Sequence, residues 1–275
     1  MLPPQAPPGR LVVCPTPIGN MQDITLRVLA TLAEADVVAC EDTRHTRPLL
    51  ERHGVRAKLV SYHEHNERAR AAELVRRVAA GELVALVSDA GTPLVSDPGF
   101  GVVRACLQAG LALEVLPGPT AAVTALVASG LPADRWCFVG FLPRARGELA
   151  RLFAQSSTTL VAYESPRRLA ASLGLLAQAD PDRPAAVCRE LTKVHEEIRR
   201  GRAADLAEHY GAHPARGELV LVCGAATAAS TELEKALAAL TDLVAAGARP
   251  RPAAAAVGRL AGISANELYR ALTAG

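Results

Sequence analysis

The string Glu41-Asp42-Thr43-Arg44-His45-Thr46-Arg47 sets two carboxylates among three basic side chains, directly after the apolar run 37–40. A carboxylate at a strand end can act as general base toward a weakly acidic hydroxyl. Arg44, His45 and Arg47 supply the kind of charge that holds phosphates. Ion pairing of Glu41 and Asp42 with Arg44 and Arg47 accounts for the same residues, and spacing leaves both readings open. A second stretch, Ser88-Asp89-Ala90-Gly91-Thr92-Pro93-Leu94-Val95-Ser96-Asp97-Pro98-Gly99, contains neither Lys nor Arg. It is a poor cradle for a polyphosphate. It suits a ligand held through backbone N–H and C=O groups, such as a nucleoside without net negative charge.

Such residues need a scaffold that gathers strand ends. Apolar runs at 11–14, 37–40, 57–61, 83–87 and 113–116 alternate with helical patterns, which predicts a parallel, helix-flanked sheet. Three of them end in neutral Gly/Pro loops, at 15–20, 88–99 and 117–120. Open α/β sheets bind ligands at such strand ends. A second set of runs lies at 136–141, 158–163, 185–190 and 217–223, with the charged run 195–201 as an edge or hairpin strand. The expected fold is α/β: a flexible tail (1–10), two α/β domains (11–130 and 131–226) around a central cleft, and a helical module (227–275). In that module a helix at 231–246 is broken by Arg249-Pro250-Arg251-Pro252. A helix–turn–helix pair follows over 253–272, with Ser264 as N-cap and Glu267 at N3, serving either RNA binding or packing.

Composition narrows the function classes. A chain of 275 residues, 50% hydrophobic, can bury real cores. No apolar run approaches the roughly 20 residues that span a bilayer, and the proline-rich start lacks the apolar centre of a signal peptide. A net charge of +2 does not by itself announce a nucleic-acid binder, so RNA contacts must come from local arginines. The six cysteines have no metal-ligand spacing. Cys14, Cys40, Cys137, Cys188 and Cys223 read as buried reduced thiols in apolar runs. His63-Glu64-His65 lacks a third ligand, and a polar loop at a strand end, lining a cleft, describes it better than a metal site. Gly99-Phe100-Gly101-Val102-Val103-Arg104 fails as a dinucleotide fingerprint, since it ends in Arg and follows no strand.

The two loops 15–20 and 88–99, Glu41 to Thr46, Pro117-Gly118-Pro119-Thr120, Tyr163-Glu164-Ser165, Arg189-Glu190-Leu191-Thr192-Lys193 and Gly217-Glu218-Leu219-Val220 occur in an order that carries a resemblance. Over residues 11–224 the chain resembles the class III, tetrapyrrole methylase-like, S-adenosylmethionine-dependent methyltransferases. Within them it is similar to the bacterial branch that methylates the ribose 2′-oxygen of a cytidine (the 1402 type) in 16S ribosomal RNA. The resemblance implies a cytoplasmic homodimer that uses S-adenosylmethionine without a metal and acts on 16S ribosomal RNA, in the small ribosomal subunit. It implies a cofactor shell of Pro17, Ala90, Gly91, Thr92, Val95, Thr120, Ala121, Tyr163, Glu164 and Leu191. Glu41 falls where tetrapyrrole-acting relatives have a proposed base, with Asp42 beside it as second candidate. Arg44, His45 and Arg47 beside the carboxylates, extended by Arg144, Arg146, Arg189 and Lys193, are the candidate RNA surface by charge, although each basic pair taken singly also fits a solvated face. Two departures are informative. Thr92 stands where many tetrapyrrole enzymes have Asp, and Pro252-Ala253 replaces a frequent Lys pair, which removes charge from the helical module. The rivals are a small-molecule methylase of the same fold and a non-catalytic RNA-binding assembly factor. The retained Glu41–Thr46 string argues against the first, and three intact neutral loops argue against the second.

Overall fold

The computed structural model describes residues 9–226 and 228–274. Strands β1 (Arg10–Val13), β2 (Val37–Cys40), β3 (Leu59–Ser61), β4 (Leu83–Leu86) and β5 (Ala112–Val115) form one fully parallel sheet in the order β3-β2-β4-β1-β5. The apolar residues of the inner strands β1, β2 and β4 are buried on both faces, as a helix-covered parallel sheet requires, whereas β5 at the edge leaves Val115 exposed. Leu11, Val13, Val37, Ala39, Val84 and Leu86 pack with Leu74, Val78 and Val102 of α3 (Glu67–Ala79) and α4 (Phe100–Gln108). The alternate residues Val12, Val38, Ala85 and their neighbours meet Val28, Leu32 and Leu50 of α1 (Leu26–Glu34) and α2 (Thr43–Arg52). The period-two split of each strand decides which helices it holds.

The second sheet contains β6 (Trp136–Phe141), β7 (Thr159–Glu164), β8 (Pro184–Arg189), β9 (Glu197–Arg202) and β10 (Leu219–Cys223), in the order β6-β7-β10-β8-β9. Only the β6–β7 pair is parallel; β10 lies antiparallel between β7 and β8, and the charged β9 pairs antiparallel with β8 as an edge strand, as expected. Helices α6 (Arg146–Gln155), α7 (Pro166–Ala179) and α8 (Ala203–Ala212) cover one face. The other face receives α5 (Ala121–Ser129), which follows β5 of the first sheet. Ala122, Ala125 and Leu126 of α5 pack on Val161, Ala186 and Val222, so this helix locks the two sheets together. It ends at Gly130, whose left-handed φ of 73° turns the chain into Leu131-Pro132, the expected joint.

The remaining helices are α9 (Ala228–Ala245), α10 (Pro250–Ala261) and α11 (Ala265–Ala274), around a core of Ala236, Leu240, Ala254, Val257 and Leu268. Here one expectation is corrected. The Arg-Pro-Arg-Pro string does not break a helix but opens one: Pro250 sits in the first turn of α10, where a missing N–H costs nothing. The chain reverses instead at Gly247, with φ 92°. Ser264 does precede α11, and its carbonyl accepts the Leu268 N–H at 3.1 Å. At the other end, residues 1–8 of the expected tail lie outside the described residues, whereas Gly9 and Arg10 are structured. Arg10 opens β1, and a Cβ on Gly9 would collide with the Val78 carbonyl oxygen. Cys137 is exposed on edge strand β6; the other five thiols are buried.

Candidate active site

The sheet order reverses at the β4-β1 pair, and the loops that follow these strands are tied together there. Thr16 and Gly91 exchange backbone hydrogen bonds of 2.8 and 3.0 Å, and the Thr16 hydroxyl donates to the Ser88 carbonyl at 3.0 Å. The Thr92 hydroxyl donates to the Pro119 carbonyl at 2.9 Å, which brings in the loop after β5. Leu94 and Ser96 adopt left-handed φ values of 74° and 69°. Non-glycine residues in that region are strained, and persist where surrounding structure over-determines them at functional sites. Gly99, at φ 137°, has room only for a hydrogen: a Cβ would meet Leu94 Cδ1 at 2.7 Å. The loop exit is clamped by Glu67, which accepts the Gly101 and Gly99 N–H groups at 3.0 and 3.4 Å and the Tyr62 hydroxyl at 2.8 Å. Burial opposes the Glu67 charge, but these donors prevail and hold its pKa below the usual glutamate value.

These loops face the second sheet across a cavity of about 370 Å³. Ala90, Gly91, Thr92, Val95, Ser96 and Asp97 form one wall, Thr120 and Ala121 the start of α5, and Phe141, Tyr163, Leu191 and the segment 217–220 the other wall. Nine of the ten expected cofactor residues line it; Pro17 lines an adjoining cavity of about 210 Å³ with His45, Asp89 and Lys193. Tyr163 is braced edge-on by Phe138 and Phe141, with ring centroids 5.0 and 5.6 Å away. Glu164 meets the cavity, but its carboxylate is engaged with the Ser165 N–H at 2.7 Å, the Ser172 hydroxyl, and Arg168 at 3.3 Å. What Glu164 can offer a ligand is therefore its backbone. This arrangement also means that Ser165 does not cap α7 with its own side chain.

The paired carboxylates have separate fates. Asp42 is the N-cap of α2, accepting the Arg44 N–H at 2.8 Å, and it pairs with the Arg44 guanidinium at 2.6 Å. These bonds to Arg44 hold its pKa down to about 2. A carboxylate so engaged is a weaker base than an unpaired one, and ion pairing with Arg44 accounts for its place. Glu41 is different. Burial raises its pKa, Asp89 and Asp42 add to the effect, and His63 opposes it. Asp97, inside the cavity, is pushed up to about 6 by burial and then by Glu41 and Asp89, against a hydrogen bond from Ser88. Sequence reasoning missed Asp89 and Asp97, which lie in the loop that was read only for its glycines, prolines and lack of cations.

The basic residues are dispersed. His45 and Lys193 line the smaller cavity, and Arg44 and Arg47 stand exposed on α2. Lys193 bridges Glu190 at 3.0 Å and Glu218 at 2.9 Å, and Arg189 pairs with Glu197 at 3.1 Å. Glu218, given no role from sequence, thus borders both cavities. Arg144 and Arg146 line a separate groove between α6 and α7, with Arg168 and Gln178, rather than extending the surface around Arg44. Leu191 sits between two further left-handed residues, Glu190 at φ 50° and Thr192 at φ 66°. The Thr192 hydroxyl accepts the Asn20 N–H at 3.0 Å, tying the β1 loop to the second sheet. Among the described residues no group of three His, Cys, Asp or Glu could hold a metal ion.

The family model for Tetrapyrrole (Corrin/Porphyrin) Methylases matches residues 10–207. A protein of Mesorhizobium japonicum is 50% identical over 227 residues, 81% of this chain and 77% of its own. One of Mycobacterium tuberculosis is 45% identical over 273 residues (96% and 94%), and one of Escherichia coli O157:H7 is 40% identical over 268 (95% and 94%). All three bear the name ribosomal RNA small subunit methyltransferase I. Among solved structures, uroporphyrin-III-C-methyltransferase from Thermus thermophilus superposes with a TM-score of 0.54 at 26% identity, covering 78% of this chain and 94% of that one. Cobalt precorrin-4 methyltransferase shares the fold with a TM-score of 0.60 at 19% identity, covering 82% and 98%. With three neutral strand-end loops closed around one cavity and relatives aligned across nearly its whole length, the chain belongs to the tetrapyrrole methylase family, in its ribosomal RNA small subunit methyltransferase I branch.

Proposed function

We propose that this chain transfers a methyl group from S-adenosylmethionine to the ribose 2′-oxygen of a cytidine, of the 1402 type, in 16S ribosomal RNA. The observation that carries the reading is the 45% identity over 96% of the chain to a relative named ribosomal RNA small subunit methyltransferase I. Tetrapyrrole enzymes share the fold at only 19–26% identity.

The cavity fits the cofactor. Its loop wall has no cation to repel a sulfonium, and Asp97 contributes a carboxylate. Gly91, at φ +82°, leaves a cradle in which a Cβ would meet Ile18 Cγ2 at 3.3 Å. The residues that would hold S-adenosylmethionine are Ala90 to Thr92, Val95, Thr120, Ala121, Tyr163, Leu191 and the backbone of Glu164, with Pro17 behind them. When bound, it supplies a methyl group open to in-line displacement. Glu41 accepts the 2′-hydroxyl proton as the oxygen–methyl bond forms. Its raised pKa makes it a better base than the ion-paired Asp42. Arg44, His45 and Arg47 offer charge to the flanking phosphates, and Lys193 extends that surface; Arg144 and Arg146 meet RNA farther from the reacting atoms.

The working unit is a homodimer in the cytoplasm. Val115, Val123, Val127 and Phe141 expose large apolar surfaces on β5, α5 and β6, of the kind a second copy covers. No described helix is long and apolar enough to cross a membrane. The test is incubation with S-adenosylmethionine and either naked 16S RNA or small ribosomal subunits lacking the modification. Nucleoside mass spectrometry should reveal 2′-O-methylcytidine from one of them. Absence of any ribose methylation on both substrates would refute the assignment.

A further inference from the structure

His63 lies in the loop after β3. Strand pairing carries it to the end of β2: Cys40 lies opposite Ser61, and the Tyr62 N–H donates to the Cys40 carbonyl at 2.8 Å. Glu41 and His63 therefore follow adjacent strand ends. The charged groups around Glu41 are Asp89 and Asp97 from the β4 loop, Asp42 on its own strand end, and His63.

The imidazole is held by Asn66. Asn66 Oδ1 accepts the His63 backbone N–H at 2.9 Å, and Nδ2 donates to the Ser61 carbonyl at 3.2 Å. A backbone N–H only donates and a carbonyl only accepts, so the orientation of this amide is determined. The same Nδ2 lies 3.2 Å from His63 Nε2. Nδ2 offers only hydrogens, which Nε2 shares as acceptor with the Ser61 carbonyl and with the Ser61 hydroxyl at 3.2 Å, and this contact favours the neutral tautomer with its proton on Nδ1. That Nδ1 is buried and without a hydrogen-bond partner among the described residues. A buried donor left empty is costly and calls for a missing acceptor. Among the described residues no side chain donates a hydrogen bond to the Glu41 carboxylate. A donor without an acceptor and an acceptor without a donor stand at neighbouring strand ends.

We propose that His63 is the positioning residue of Glu41: its Nδ1–H donates to the carboxylate when the ribose enters, which directs the free carboxylate oxygen at the 2′-hydroxyl. The inference rests on Glu41 being the base. Asn66 acts one step further out, by setting which ring nitrogen carries the proton.

The test uses the full chain with S-adenosylmethionine and small ribosomal subunits lacking the methyl group. Asn places an amide N–H near the position of Nδ1, whereas Gln places its end group near Nε2. His63→Asn should retain most of kcat, and His63→Gln and His63→Ala should each lose roughly 100-fold, the usual scale of a misplaced catalytic group. KM for S-adenosylmethionine should stay unchanged. In His63→Ala the acid limb of the pH–kcat profile should move to higher pH, because a group that favours the ionised Glu41 is gone. Equal activity of the Asn and Gln variants overturns the proposal, as does wild-type kcat with an unmoved limb in His63→Ala. If His63→Ala does not fold, the Asn–Gln contrast decides alone. A Glu41→Gln protein run in parallel separates the failures: full turnover there defeats the base assignment, whereas an inactive Glu41→Gln with indistinguishable Asn and Gln variants defeats only the role of His63.

Discussion

The Asp89 carboxylate accepts the backbone N–H of Asp42 at 3.1 Å. One hydrogen bond thereby holds the end of β2 against the loop after β4, and puts a negative charge beside Glu41. The base candidate and the cofactor wall are parts of one rigid corner, so their chemistry and their stability are separable only by choosing variants with care.

Glu41→Gln should keep affinity for S-adenosylmethionine and lose roughly 100- to 10,000-fold in turnover, the range for removal of a general base. Asp42→Asn should instead turn over nearly normally and melt only slightly lower, through the lost Arg44 ion pair, since Asn still caps α2. Calorimetric cofactor titration, single-turnover methylation and thermal melts on both proteins check the pair of outcomes. An active Glu41→Gln together with a folded but inactive Asp42→Asn would exchange the two assignments.

Asp97 links pH to both stability and binding. Its folded pKa of about 6 lies above the ordinary aspartate value, so the native state holds that proton more tightly than the unfolded chain. The stability from this group is complete below the ordinary aspartate pKa and is lost as pH rises through about 6. Asp97→Asn should therefore raise the melting temperature of the cofactor-free protein at pH 8 and leave it little changed at pH 4. The same variant should bind S-adenosylmethionine more weakly at pH 8, having lost the carboxylate that faces a cation. Melts and titrations at the two pH values test it; a lower melting temperature at pH 8 would contradict the sign.

Glu67 touches no ligand position but clamps the exit of the cavity loop through Tyr62, Gly99 and Gly101. Glu67→Ala should cost about 2 kcal/mol, the scale for stranding buried donors. It should weaken cofactor binding through a loosened loop while leaving saturated turnover close to normal. Denaturant melts and a KM-against-kcat comparison would expose any other pattern, such as a collapse of kcat alone.

Sedimentation at micromolar concentration should give about twice the 28.7 kDa chain mass. Val127→Glu, on the exposed side of α5, should shift the protein toward monomer without unfolding it. A wild-type monomer under those conditions would remove the dimer from the account.

What the sequence determined by itself was whatever depends on local pattern. Buried parallel strands such as Val37–Cys40 are short apolar runs, and the loops at 15–20, 88–99 and 117–120 announce themselves by Gly, Pro and missing cations, so the sheets and the loop wall of the cavity were legible, whereas Tyr163, Glu164 and Leu191 of the opposite wall entered only through the family resemblance. Tertiary structure alone decided where each carboxylate spends its charge. Asp42 became a helix cap because α2 starts one residue later, and Glu164 turned to Ser172 and Arg168 across a helix turn. Asp97 was pushed up to about 6 because burial, Glu41 from a distant strand end and Asp89 of its own loop converge on it. Arg144 and Arg146 left the cleft because α6 and α7 form a groove of their own. Periodicity reports which face of an element is apolar, but an ionisable group's role follows from its partners, and those are brought together only when Thr16 meets Ser88 and Asp42 meets Asp89 across the closed sheet.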